Sequence, residues 1–420
     1  MMPLRDFAFV RWFMAIALTA SLCTSAIAAP TAKHAPGTVQ KKDAPKKDPQ
    51  KKDEPNISAP HAILIDAENG GVLFERDADR LIFPASLAKL MTAEYVFNEI
   101  KEGRLKLTDE FMVSENAWRK GGAPSHGSTM FAAIYSKVPV DDLIRGMIVQ
   151  SANDACIILA EGLAGNEAAF AEKLTERARA IGLEKSIFTN SNGLPDPGEQ
   201  VTTRELGLLA RHIIRTYPDF YQIFSQPEYT WNKIRQQNRN PLLGAMTGAD
   251  GLKTGFTKEA GYGLVGSAVQ NGQRLIVVVN GVNTPKERAD EAKKLLEWGF
   301  RNFEQRILFA EGQTIGTAKV FGGSTGRVSL VASEGAVRVL LPKAGGEKLI
   351  ARIVYKGPVP APVSVGTPIG NLKVWRNDNL ILSTPLKASE SVGKGNMPQR
   401  AFDAVTEMII ALFRAGAERL

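Results

Sequence analysis

Pro84-Ala85-Ser86-Leu87-Ala88-Lys89-Leu90-Met91-Thr92 opens an apolar segment that runs to about Ile100, and it is the stretch from which the rest of the chain can be read. Its pattern predicts a helix with Ser86 and Lys89 at the mouth. Residues three apart share a helical face, so the Ser86 oxygen and the Lys89 nitrogen come within hydrogen-bond reach. A serine hydroxyl is a weak nucleophile unless a neighbour takes its proton, and a lysine can do so only when its own pKa is depressed. Burial or a second cation supplies that depression. The tetrapeptide alone is weak, since ~1–2 copies of Ser-x-x-Lys arise by chance in a chain of this size. Ser391-Val392-Gly393-Lys394 is such a copy, and with no apolar helix behind it, it reads as linker.

The first partner is Lys253-Thr254-Gly255, placed just before an apolar strand from Gly261 to Val269. A lysine on a strand edge offers a fixed cation, while the adjacent hydroxyl and the free backbone edge can hold a carboxylate and pair with an extended peptide. The second partner is Ser151-Ala152-Asn153, between two helical segments, which offers a hydroxyl for proton relay and an amide to hold a peptide carbonyl. Ser114-Glu115-Asn116 fits the same Ser-x-Asn spacing and reads as a helix cap. What points to catalysis is the ordered set: a nucleophile with its base, then Ser-x-Asn, then Lys-Thr-Gly.

Composition sets the frame. At 420 residues and 44% hydrophobic, the chain can bury a full core and hold two or three domains. Residues 1–29 carry Arg5 and Arg11, an apolar run from Trp12 to Leu22 and the small-residue exit Ala26-Ile27-Ala28, the pattern of a cleaved secretory signal. Leu22 before Cys23 argues against a lipid anchor there. Once that segment is removed only Cys156 remains, so no disulfide forms within the chain. His34, His61, His126 and His212 are scattered without metal-ligand spacing, and no metal site is expected. Part of the net charge of +8 lies in a five-residue Lys-Lys-Asp repeat between Lys41 and Pro55. Its interleaved acids and the export signal argue against nucleic-acid binding, and residues 30–59 read as a disordered tether.

From Pro60 the character changes. Runs at His61 to Asp66 and Val72 to Glu75 flank Asn69-Gly70-Gly71 and predict a hairpin, as do those around Asn271-Gly272. Between the hairpins, helices are expected at Asp141 to Gln150, Asp154 to Leu163, Glu167 to Ile181 and Thr203 to Arg215, with a Gly- and Ser-rich loop from Ser114 to Thr129. Thr284-Pro285 opens a further helix whose inner face is Ala289, Ala292, Leu295, Leu296 and Phe300. Residues 60–305 thus form an α+β catalytic domain with a mostly antiparallel sheet. Residues 306–390 show short alternating runs, the mark of a small all-β domain. Residues 391–420 read as linker and an amphipathic helix with Phe402, Val405, Ile409, Leu412, Phe413 and Leu420 near one face, able to pack on a domain, pair with a partner or lie on a membrane.

Taken together these motifs resemble the low-molecular-mass penicillin-binding proteins, specifically the D-alanyl-D-alanine carboxypeptidases. Ser151-Ala152-Asn153-Asp154-Ala155, Asn238-Arg239-Asn240, Asp250 to Gly255, Ala260-Gly261-Tyr262 and Leu295 to Phe300 all resemble that family in order and spacing. The resemblance implies a β-lactamase/transpeptidase-like fold, with an antiparallel sheet flanked by helices. It also implies a serine acyl-enzyme acting on the terminal D-Ala-D-Ala of peptidoglycan stem peptides, covalent capture of β-lactam antibiotics, and no cofactor. By the same resemblance Ser86 is the nucleophile, Lys89 its proton acceptor and Ser151 the relay toward the leaving amine. Asn153 orients the substrate amide. The backbone N–H groups of Ser86 and Phe256 hold the oxyanion, and Lys253, Thr254, Gly255, Arg239 and Arg288 surround the substrate terminus. The implied place is the periplasm, at the outer face of the cytoplasmic membrane, with peripheral contact through the terminal helix.

Two departures stand out. Phe256 occupies a position where relatives often carry a polar residue or histidine, and Asn190-Ser191-Asn192-Gly193-Leu194 lacks a histidine often found before the Gly-Leu. Three rivals remain at this stage. A serine β-lactamase shares the motifs, but the only Glu-x-x-x-Asn downstream of Asn153, Glu228 to Asn232, lies much too near Lys253 for that class. A related endopeptidase generally lacks the β-domain and terminal helix. A wall-binding scaffold without activity is the third.

Overall fold

The structure, a computed structural model, describes residues 54–345, 348–376 and 379–417. The predicted signal and the Lys-rich repeats up to Asp53 lie outside the described residues.

A five-stranded antiparallel sheet in the order β2-β1-β9-β8-β7 forms the centre of the first domain. Its strands are β1 (His61–Asp66), β2 (Val72–Arg76), β7 (Ala249–Thr257), β8 (Gly261–Gln270) and β9 (Gln273–Val282). Side chains alternate across a strand, so a sheet covered on both faces needs continuous apolar runs. In β1, Ile63 and Ile65 enter one core while Ala62 and Leu64 enter the other. Both hairpins therefore fold as their turns predict.

One face is covered by α8 (Pro285–Asn302), whose N-cap Thr284 accepts from the Glu287 N–H and whose Ala292, Leu295 and Leu296 are buried. The other face carries the larger core, built from α1 (Lys89–Lys101), α3 (Val140–Arg145), α4 (Asn153–Ala164), α5 (Glu167–Ala180), α6 (Thr203–Thr216) and α7 (Pro218–Tyr221). Small hairpins β3 (Glu110–Met112) with β4 (Lys137–Pro139), and β5 (Glu228–Trp231) with β6 (Ile234–Gln237), sit at its periphery.

Several expectations need correction. The supposed loop from Ser114 to Thr129 contains α2 (Glu115–Gly121) and a 3-10 turn at Ala123–Ser125. The Gly and Ser content hid a sound N-terminus: Ser114 Oγ accepts from the Ala117 N–H and Glu115 follows it. The helix at Asp141 to Gln150 changes to π geometry at Gly146–Gln150. The ordered chain also starts before residue 60, because Ile57 and Ala59 are apolar and buried and the Ser58 and Ala59 N–H groups bond the Glu291 carboxylate.

Beyond α8 the chain runs directly into β10 (Phe303–Phe309), which pairs with β13 (Val337–Pro342), so the 305/306 division falls inside a strand. A six-stranded sheet in the order β14-β16-β17-β12-β11-β15 completes the all-β domain. Its strands are β11 (Gly316–Phe321), β12 (Arg327–Ala332), β14 (Leu349–Tyr355), β15 (Val359–Pro360), β16 (Pro368–Arg376) and β17 (Asn379–Ala388). The segment Ser391 to Lys394 belongs to this domain rather than to a linker: Val392 is buried and pairs with Val363, because its apolar side chain finds a place in the β core. The terminal helix α9 (Met397–Ala417) begins two residues before Gln399 and is tied to the domain by Asp403, which accepts the Gly322 N–H at 2.8 Å. Phe402, Val405 and Met408 are exposed; the side chains of Ile409, Leu412, Phe413 and Leu420 lie outside the described residues.

Candidate active site

Ser86 sits in a 3-10 turn (Ala85–Ala88) that feeds α1, rather than in the α-helix itself. Ala85, just before it, holds φ +48°, a conformation few alanines adopt and one that marks a constrained turn. Lys89, the first residue of α1, donates from Nζ to Ser86 Oγ at 2.9 Å and to the Asn192 carbonyl at 2.5 Å. The lysine is 1% exposed. Burial pulls its pKa down to about 8, with repulsion from Arg239 adding to the effect and the Cys156, Glu199 and Asp154 side chains opposing it.

Across the cleft, Ser151 follows the π turn with φ +64° and accepts from Lys253 Nζ at 2.8 Å. Lys253 lies in β7, the edge strand of the sheet, and also donates to the Thr254 carbonyl at 3.0 Å. Burial pushes its pKa well down, with repulsion from Lys89, Arg239 and Arg288. Gly255 is where β7 crosses the Ser86 turn: a Cβ there would come 3.0 Å from the Pro84 carbonyl and 3.2 Å from the Leu87 nitrogen. A side chain there would have to push that backbone by a few tenths of an ångström, so glycine suits the close approach.

Asn153 is buried, and its Oδ1 has no partner among the described residues. Thr254 is buried beside Lys253, whereas Phe256 is about half exposed and stacks on Tyr262 with ring centroids 4.0 Å apart. The Arg288 guanidinium lies 5.6 Å from the Tyr262 ring centroid, and its buried Nε has no partner among the described residues. Arg239 is tied by its backbone N–H to the Val149 carbonyl and keeps an exposed side chain. All ten predicted residues therefore belong to one connected region around the edge of β7.

Sequence reasoning missed the residues that hold these groups. Asp154 accepts from Thr129 Oγ1 and from the N–H groups of Met130 and Ala132, fixing the stretch that faces Asn153. Asn192 supplies the carbonyl on Lys89, and the Asn-Ser-Asn-Gly run in which it lies is a turn signature that was the available clue. Glu199 stands behind that turn.

A serine hydrogen-bonded to a buried lysine of depressed pKa, with a second serine–lysine pair on the sheet edge, is the arrangement that serine hydrolases of the acyl-enzyme type use. Residues 48–284 match the D-alanyl-D-alanine carboxypeptidase family, and residues 303–394 match the penicillin-binding protein 5 C-terminal domain. The chain belongs to the D-alanyl-D-alanine carboxypeptidase family. It is 39% identical to the D-alanyl-D-alanine carboxypeptidase DacC of Escherichia coli, over 84% of this chain and 88% of that protein. The structure of penicillin binding protein 5 from Haemophilus influenzae superposes with a TM-score of 0.72 at 37% identity, covering 81% of this chain and 99% of that one. Penicillin-binding protein D2 of Listeria monocytogenes, in its ampicillin-bound form, gives 0.51 at 34% identity over 58% of this chain and 98% of that one.

Proposed function

We propose that this chain removes the terminal D-Ala from peptidoglycan stem peptides through an acyl-enzyme on Ser86, and that β-lactams acylate the same oxygen. The observation that carries this reading is the 2.9 Å bond between Lys89 Nζ and Ser86 Oγ, with the lysine buried and its pKa drawn down to about 8. Neutral Lys89 takes the hydroxyl proton as Ser86 Oγ adds to the penultimate D-Ala carbonyl carbon. The developing oxyanion is met by the backbone N–H groups of Ser86 and Phe256. As the C–N bond breaks, Ser151, held by Lys253, relays a proton to the leaving amine. Water then adds to the ester and returns the proton to Ser86. Lys253, Thr254 and Gly255 on β7, with Arg239 and Arg288, hold the terminal carboxylate, and Asn153 the amide. Family membership and relatives named as D-alanyl-D-alanine carboxypeptidases support the substrate; the ampicillin-bound relative supports the drug.

The test is intact mass with time after mixing with a penicillin, alongside D-Ala release from a D-Ala-D-Ala peptide. A persistent adduct on Ser86 with released D-Ala supports the reading. Rapid drug turnover without peptide cleavage replaces it with a β-lactamase, and neither event leaves a scaffold.

For the remainder of the chain, we infer that residues 1–29 direct export to the periplasm and residues 30–59 tether the catalytic domain. The all-β domain spaces that domain from the outer face of the cytoplasmic membrane, which α9 touches peripherally. The exposed Phe402, Val405 and Met408 support the contact, and no described helix is long and apolar enough to span a bilayer. Co-sedimentation with anionic vesicles, with and without residues 397–420, tests it; equal sedimentation would sink the idea.

A further inference from the structure

The turn that holds Lys89 has an acid behind it. Asn190 Oδ1 accepts the N–H groups of Asn192 at 3.1 Å and Gly193 at 2.7 Å, and Asn192 in turn offers its carbonyl to Lys89 Nζ. Asn190 keeps this orientation because its Nδ2 donates to Glu199 Oε2 at 2.9 Å and to the Leu194 carbonyl at 3.0 Å. Glu199 is 1% exposed, and its other oxygen, Oε1, is buried without a hydrogen-bond partner among the described residues. Glu199 also belongs to the lining of a cavity of about 180 Å³, with Phe83, Pro84, Ala85, Gly193 and Leu194, directly beside the residue that precedes Ser86. An unsatisfied buried oxygen costs stability, and such a group in a native fold calls for a functional account.

We propose that Glu199 is a positioning residue for the nucleophile's base: through Asn190 it fixes the Asn192 carbonyl that Lys89 leans on, and its charge sets how readily Lys89 releases a proton. The inference deepens the acyl-enzyme reading and rests on it. Burial pushes the Glu199 carboxyl up to about 8, the level to which burial pulls Lys89 down. Two interacting groups brought into one range titrate as a pair, so neither holds a proton independently of the other. The charged or titratable groups facing Lys89 are Asp154 and Cys156 on α4, Arg239, Lys253 on β7 and Glu199; those facing Glu199 are Lys89, Asp196 and Glu167. Among the groups facing Lys89, Glu199 also connects to it through a chain of hydrogen bonds. Its anion raises the lysine's pKa, so a neutral replacement lowers it.

The experiment measures the second-order rate of acylation by a fluorescent penicillin from about pH 6 to about pH 10, with thermal unfolding in parallel. Glu199→Gln keeps an oxygen for Asn190 and loses the charge. It is expected to leave Tm near wild type and to move the ascending limb of the profile down by about half to one pH unit. Asn190→Ala keeps the acid and breaks the link, and should lower the plateau rate ~10-fold by loosening Lys89. Both proposed effects are overturned if Glu199→Gln reproduces the wild-type profile and Asn190→Ala reproduces its plateau. A loss of rate and Tm together, with the limb unmoved in both variants, reduces Glu199 to packing. Should the wild-type chain resist acylation altogether, the acyl-enzyme reading itself falls, a result separate from any behaviour of the variants.

Discussion

Lys253 Nζ donates to Ser151 Oγ at 2.8 Å, tying the edge strand of the sheet to the turn between α3 and α4. The bond holds a hydroxyl at left-handed backbone, and Lys89 and Ser86 make a matching lysine–serine pair. If Ser151 relays the proton to the leaving amine, Ser151→Ala should lower kcat for D-Ala release by ~10²–10⁴-fold. Penicillin acylation should fall in parallel, with mass spectrometry still placing any adduct on Ser86. Unimpaired release by Ser151→Ala would remove Ser151 from the mechanism.

The second prediction concerns pH. If Lys89 is the base that takes the Ser86 proton it must be neutral, and with its pKa drawn down to about 8, acylation should climb as pH rises through about 8 and level off above it. The same shift bears on stability. Between about 8 and the ordinary value of 10.5 the unfolded chain binds more protons at this site than the folded one. Stability therefore rises with pH across that window, and the full penalty is present below it. Lys89→Met should abolish acylation yet stabilise the fold at neutral pH by ~1–2 kcal/mol, once the unmet Asn192 carbonyl is allowed for. Urea unfolding at pH 7 and at pH 10.5 checks this; an equal gain at both pH values would mean the lysine's charge is not the cause.

Much of this arrangement was legible because it rests on local rules. The Asn-Gly hairpins, the Thr284-Pro285 start of α8 and the two-faced apolar strands follow from turn chemistry and periodicity. The motif residues stood out because few side-chain types can serve as nucleophile, base or anion holder, and the fold brings them together around β7. What stayed hidden was long-range. Nothing near Lys89 in sequence announces that a carbonyl about a hundred residues away, at Asn192, will hold it. Asp154 looks like an ordinary first-turn acid until the loop at Thr129 folds onto it. The π turn before Ser151 cannot be told by periodicity from the helix it interrupts.

Phe256 offers a test of side chain against backbone. Its proposed role uses only the N–H, while its ring stacks on Tyr262 and is about half exposed. Such a stack contributes ~0.5–1.5 kcal/mol, so Phe256→Ala should reduce penicillin acylation by no more than ~10-fold. Arg288→Ala, in contrast, should raise KM for a peptide with a free carboxylate far more than it changes kcat. Equal effects on KM for the free acid and its amide would place Arg288 outside carboxylate recognition.

Gly193 is the position where the Lys89-holding turn meets the turn that carries Ser86. It holds φ +78°, and a Cβ built there would lie 1.8 Å from the Ala85 carbonyl oxygen, a backbone atom that cannot swing aside. Gly193→Ala must therefore displace either the Ser86 turn or the Asn192 carbonyl, and each displacement separates Ser86 from its base. A shift of about 1 Å at such a contact costs ~10²-fold in rate. Gly182 supplies the control, since it holds φ +87° with no atom within 4 Å of the same built Cβ. Gly182→Ala carries only the backbone strain, ~1–2 kcal/mol, and should acylate normally. Comparing the two variants by unfolding and by penicillin labelling separates strain from collision: a Gly193→Ala enzyme as active as Gly182→Ala would show that the two turns need not touch for acylation.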